Sequence, residues 1–143
     1  MGTELVVNII SFSYKKGIPQ DSSPHGGGFV FDCRCLKNPG REAQYKAKTG
    51  IDNEVIDYLE RLPEVKEFKE TTLSLVRQAV ENYLSRGHTN LMVCYGCTGG
   101  QHRSVYMAEA AALALSQIPG VKVQKIHREL EAMGMLPAGS KNS

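Results

Sequence analysis

Residue types that handle anions are concentrated in one stretch, Cys97-Thr98-Gly99-Gly100-Gln101-His102-Arg103-Ser104. Gly99 and Gly100 let a backbone approach an anion with no side chain in the way. Thr98 and Ser104 supply hydroxyl donors, and Arg103 supplies a fork that grips two oxygens together. His102 adds a ring donor, although a positive helix end disfavours its protonation. The same stretch contains Cys-x5-Arg-Ser, the spacing of cysteine-dependent phosphatases. There a thiolate attacks phosphorus, which would make Cys97 the nucleophile. Such an enzyme also needs an acid to protonate the leaving oxygen, and Asp21, Asp32 and Asp52 are the candidates. Gly96 stands where tyrosine phosphatases usually carry histidine. A third reading is a tight turn whose Arg103 pairs with a carboxylate such as Asp32. A phosphate cradle is favoured over both, and no catalytic residue is expected.

Cys33-x-Cys35 and Cys94-x2-Cys97 have spacings that would suit a four-thiolate metal site. Cys33, Cys35 and Cys94 fall in strand-like runs, where buried thiols are ordinary core residues, and the first pair lacks the glycines of a zinc knuckle. Neither a metal nor a cofactor is expected.

The loop needs a strand before it and a helix after it, and both are legible. Leu91 to Gly96 is an apolar strand, and an alanine-rich helix runs from Val105 to Gln117 until Ile118-Pro119-Gly120 stops it. Strand, glycine turn and helix together aim backbone N–H groups at an anion. Leu5 to Ser13 reads as a buried strand, and Phe29 to Cys35 alternates as another, with Asp32 and Arg34 on one face. Between them, Asp21 to Gly28 reads as a flexible insertion, in which His25 is a solvent-exposed loop histidine. Leu36 to Thr49 reads as a long structureless connection, a length that is often functional. Asp52 can cap a helix carrying Val55, Ile56, Leu59 and Leu62 on one face, and Pro63 starts a second helix that Gly87 ends. Val121 to Ile126 is a fourth strand, and His127 to Met133 a last turn or two of helix closed by Gly134. Strands separated by helices imply an α/β fold: a small, mostly parallel or mixed sheet of four strands flanked by helices.

The 143 residues suffice for one domain with a proper core, expected over 1–134 with a flexible tail over 135–143. Apolar runs are too short for a membrane span, and the N-terminus lacks the pattern of an export signal. The four cysteines are therefore expected as reduced thiols, in a cytoplasmic protein. Net charge is only +2, but its distribution is uneven. Residues 15–48 carry seven basic groups against three acids, whereas residues 52–81 carry eight acids against four bases. One basic and one acidic face would follow, although both sets also suit a merely solvated surface.

Several blocks in collinear order resemble the C-terminal domain of the bacterial RapZ family of RNase adapter proteins. They include Ser11 to Pro19, Val30-Phe31-Asp32-Cys33-Arg34, Asn38-Pro39, Thr49-Gly50-Ile51-Asp52, Gly96 to Val105, and His127-Arg128. The resemblance implies a regulatory binding domain, similar in fold to part of phosphofructokinase, that senses an amino-sugar phosphate, glucosamine-6-phosphate, and recognises small regulatory RNAs. It implies that Cys97 is a wall of the phosphate pocket, that Thr98, Gly99, His102 and Arg103 line it, and that Arg34 and Lys16 converge on it. Candidate RNA contacts are Lys15, Lys37, Arg41, Lys46, Lys48, Lys122, Lys125 and Arg128. Full-length members carry an N-terminal P-loop domain. No Gly-x4-Gly-Lys-Ser/Thr occurs here, so ATP binding is not expected, and a P-loop protein is a candidate partner, with a homo-oligomer among the assemblies considered. RNA-binding members end in a basic cluster, whereas residues 134–143 hold only Lys141, which weakens the RNA expectation specifically.

Overall fold

The computed structural model describes residues 4–23 and 27–135. The expected α/β domain is present, with β1 (Leu5–Ser13), β2 (Gly28–Asp32), β3 (Asn90–Cys97) and β4 (Val121–His127) in the order β2-β3-β1-β4. Every pairing is parallel, so the sheet is not mixed. The helices are α1 (Asn53–Glu60), α2 (Pro63–Arg86), α3 (Arg103–Leu115) and α4 (Arg128–Met133).

Alternation along β1 decides where the helices pack. Leu5, Val7 and Ile9 point to one face, where they join Leu91, Val93 and Tyr95 of β3 in the main core. Val55 and Leu59 of α1, Val65, Leu73, Val76 and Val80 of α2, and Met107, Ala108, Ala111 and Leu115 of α3 complete it. The other face is thinner, with Phe12, Met92 and Cys94 backed by Ile10 and Tyr14. β3 is buried from Leu91 to Cys97, as befits an inner strand. The edges are managed by a five-residue β2 and by lysines on β4, Lys122 and Lys125.

Pro63 opens α2 at its first turn, and Gly87 closes it in the left-handed conformation with φ of 74°. α3 begins at Arg103 and ends at Leu115, two residues earlier at each end than its sequence pattern suggested. Asp52 does precede α1, but its carboxylate does not cap the helix. It accepts instead from Thr49 N–H at 2.7 Å, closing the turn before the helix.

Two expectations need correction. The strand predicted over 29–35 stops at Asp32, whose carboxylate accepts the N–H of Arg34 and turns the chain into a 3-10 helix over Cys33–Cys35. Cys33 is therefore buried and Cys35 exposed, so the pair does not share a strand face. The connection expected to be structureless from Leu36 to Thr49 contains two more 3-10 turns, Pro39–Arg41 and Ala43–Tyr45. The first is set by Asn38, whose side chain accepts the N–H of Gly40 at 2.9 Å. Of the Asp21–Gly28 insertion, residues 24–26, His25 among them, lie outside the described residues. Asp21 gathers the flanks, accepting from Ser23 and Gly27. The expected tail, apart from Met135, also lies outside.

The order β2-β3-β1-β4 means that the chain leaves β1 toward β2 and leaves β3 toward β4, in opposite directions. Ligands of open α/β sheets bind outside the carboxyl ends of strands at such a reversal. Ser13 and Cys97 face each other in register at that point.

Candidate functional site

The residues following β3 form a cavity of about 350 Å³ lined by Asn38, Gly40, Lys46, Cys97, Thr98, Gly99, Gln101, His102 and Arg103. That size is at the small end of ligand sites. The sequence-predicted residues Cys97, Thr98, Gly99, His102 and Arg103 thus meet around one space. Thr98 and Gly99 are exposed, while His102 and Arg103 are 7% and 4% exposed.

Arg103 is the first residue of α3, and no side chain caps that helix. Its Nη1 donates to the carbonyl oxygens of Arg34 at 3.1 Å and Leu36 at 2.8 Å, while its buried Nε has no partner. The proposed pairing of Arg103 with the Asp32 carboxylate is therefore not seen. Asp32 is taken by Arg34, through Nε–H to Oδ1 at 2.9 Å and Nη2–H to Oδ2 at 2.7 Å. Those bonds hold the Asp32 carboxyl below the usual carboxylate range.

His102 Nε2 lies 2.8 Å from the carbonyl oxygen of Tyr45, which makes Nε2 the protonated nitrogen. Burial lowers the pKa of the ring, favouring a neutral imidazole. Its ring also packs on Gly40, where a Cβ would come within 3.1 Å of His102 Cε1. Gln101 Nε2 donates to the carbonyls of Lys46 at 2.8 Å and Lys48 at 2.7 Å. Three consecutive residues, Gln101, His102 and Arg103, thus fasten the 34–48 segment over the cavity. Gly50 finishes the clasp, since a Cβ there would come within 2.4 Å of His102 O and 2.5 Å of Tyr106 N.

Other predicted residues sit differently. Ser104 Oγ contacts Cys97 Sγ at 3.1 Å and is fully buried, facing the protein and not the cavity. Gly100 adopts φ of 67° with its backbone against Ser13 and Glu129, where a Cβ would come within 2.6 Å of Glu129 Cγ. Arg34 reaches the site through its carbonyl oxygen, while its guanidinium stacks on Tyr14 at 3.9 Å. Lys16 is exposed on the turn after β1 and does not line the cavity. Lys46, an expected RNA contact, lies on the cavity rim. Among the other basic candidates, Lys48 pairs with Glu54 at 3.0 Å, Lys125 with Glu109 at 2.9 Å, and Arg128 with Glu129 at 2.8 Å. Lys15, Lys37, Arg41 and Lys122 are exposed.

For acid catalysis, neither Asp21, Asp32 nor Asp52 lines the cavity beside Cys97. For a thiolate metal site, Cys94 and Cys97 lie on opposite faces of the sheet, being three apart on one strand. Burial pushes the Cys94 thiol up to about 12. Gly96, which stands in place of histidine, is explained by packing, since a Cβ there would come within 2.3 Å of the buried Phe12 ring.

The lining residues not singled out from sequence are Asn38, Gly40 and Gln101. Their signal was present: each lies in or beside a block that carries the family resemblance, and those blocks are the ones that close on the loop.

A family profile described as RapZ C-terminal domain matches residues 5–131. A nucleotide-binding protein of Cereibacter sphaeroides is 42% identical over 137 residues, covering 94% of this chain and 43% of the relative. One of Thermotoga petrophila is 40% identical over 125 residues, covering 87% and 42%. One of Chromohalobacter salexigens is 36% identical over 137 residues, covering 95% and 44%. The chain spans less than half the length of these relatives. Their names describe binding and not catalysis.

Proposed function

This chain belongs to the RapZ C-terminal domain family, and on that premise we propose that it is a sensing adapter domain whose cavity takes the phosphate of a phosphorylated sugar. The observation that carries the reading is Arg103, a guanidinium buried at the first turn of α3 with an unpartnered Nε, lining the same cavity as the exposed Thr98 and Gly99. A buried cation with spare donors at an uncapped helix N-terminus suits a dianion. Lys46 at the rim adds charge for capture, and Asn38 and Gly40 supply a polar wall for a sugar ring. By family membership the sugar is of the amino-sugar phosphate class. In this reading the protein is cytoplasmic and non-enzymatic, Cys97 is a wall of the cradle, and regulatory RNA and a P-loop domain are its macromolecular partners.

The direct test is a calorimetric titration with glucosamine-6-phosphate alongside unphosphorylated glucosamine. The phosphorylated sugar is expected to bind and glucosamine to give no heat. Equal responses to both would remove phosphate recognition from the account.

A further inference from the structure

Ser13 ends β1, is 3% exposed, and does not line the cavity. Its hydroxyl nevertheless donates to the carbonyl oxygen of Thr98 and accepts the N–H of Lys15 at 3.1 Å. Its own N–H donates to Glu129 Oε2 at 2.8 Å, on a carboxylate that is itself buried. Arg128 holds that carboxylate and also donates to the carbonyls of Ser13 at 3.4 Å and Gly17 at 2.8 Å. Ser13 is therefore fixed by its backbone and has its hydroxyl free to act on the loop.

What the hydroxyl does follows from peptide geometry. In a trans peptide the carbonyl and the N–H of the next residue lie in one rigid plane and point in opposite directions. The Thr98 carbonyl is drawn back to β1 by Ser13, so the N–H of Gly99 is turned away from β1, on the side where Gly99 lines the cavity. With that plane flipped, a carbonyl oxygen would face an incoming anion and repel it. Gly99 has the backbone freedom that such a flip requires, and the hydrogen bond from Ser13 opposes it.

We propose that Ser13 is a positioning residue for anion binding: its hydroxyl locks the Thr98–Gly99 peptide with the Gly99 N–H toward the cavity. Through Lys15 N–H the same oxygen joins that orientation to the basic turn after β1. The inference rests on the phosphate reading of the cavity given above.

Inorganic phosphate is the probe, titrated by calorimetry and by amide NMR with the Gly99 resonance as reporter. Wild type is expected to bind with a clear shift of the Gly99 amide. Ser13→Ala is expected to weaken binding about tenfold, the scale of one charge-assisted hydrogen bond, and to abolish that shift. Because Ser13 is buried, Ser13→Thr and Ser13→Val provide a matched pair of the same shape. Threonine should restore affinity and the Gly99 shift, and valine should not. Equal binding and an equal Gly99 shift in the threonine and valine proteins would overturn the positioning role while leaving the phosphate site standing. Absence of phosphate binding by wild type would overturn both.

Discussion

Arg103, His102 and Cys97 surround the same cavity, and their hydrogen bonds give each a distinct task. Arg103 spends one nitrogen on two main-chain carbonyls and keeps donors in reserve. His102 spends its Nε2–H on Tyr45, so the ring works as a fastener, and burial favours its neutral form. Burial sets its folded pKa below the ordinary 6.5, so the unfolded chain takes up a proton first as pH falls. The stability that neutral His102 contributes is complete above 6.5 and is lost as pH drops from there toward its lowered folded value. Thermal melts from pH 7.5 to 5 are therefore expected to show a falling melting temperature. His102→Gln, which keeps a donor for Tyr45 without titrating, should flatten that dependence. Cys97 faces Ser104 with none of the candidate aspartates on the cavity wall. Cys97→Ser is expected to bind phosphate within about twofold of wild type, since no hydrogen bond to the ligand is asked of it. Neither protein should hydrolyse an aryl phosphate. Turnover by wild type that vanishes in this variant while phosphate binding persists would mark a phosphatase.

At the level of elements, the strand, turn and helix around Cys97–Ser104 were legible because a buried parallel strand and an alanine-rich helix carry strong local patterns. Leu36–Thr49 was not. Its 3-10 turns are short, and what holds them is tertiary: Gln101, His102 and Arg103 bind carbonyls of residues 34, 36, 45, 46 and 48. No periodicity in a sequence records that a loop's carbonyls are fed by a helix start far along the chain. The end of β2 was missed for a local reason: the Asp32 carboxylate takes the N–H and the guanidinium of Arg34 two residues on, ending a strand that alternation would have continued. Ser13 was hidden, like the clasp, because its hydroxyl acts on a peptide 85 positions away. If the clasp is built as described, Gln101→Ala should release two carbonyl contacts and leave the sheet intact. Hydrogen exchange should speed up across residues 43–48 with little change in β1 and β3. Uniform acceleration over the whole chain would instead mean that the clasp is part of the global core.

Across the whole molecule, charge and topology converge on the carboxyl end of the sheet. The carboxyl ends of β1 and β2 lead into segments bearing Lys15, Lys16, Lys37, Arg41 and Lys46, all exposed, and Lys46 among them lines the cavity. Seven of the eight acids of 52–81 sit on α1 and α2 instead, and Asp52 immediately precedes α1. Lys48, Lys125 and Arg128 are partly neutralised by Glu54, Glu109 and Glu129, which leaves a modest basic end. Among the described residues no helix is long and apolar enough to cross a membrane. An RNA that uses this end should show log K falling with log salt, with a slope set by the few exposed cations. Filter binding from low to physiological salt measures it, and a flat, weak response throughout would remove RNA from the proposed partners.

The central claim remains that a phosphate is gripped by Arg103, and calorimetry with glucosamine-6-phosphate on Arg103 variants tests it most directly. Arg103→Lys keeps the charge but loses the fork, and is expected to weaken binding by about 10- to 100-fold, on the scale of a lost charged hydrogen bond. Arg103→Ala is expected to abolish binding, with thermal melts run in parallel to confirm that each variant is folded. Folded Arg103→Ala protein that binds the sugar phosphate with wild-type affinity would contradict the account.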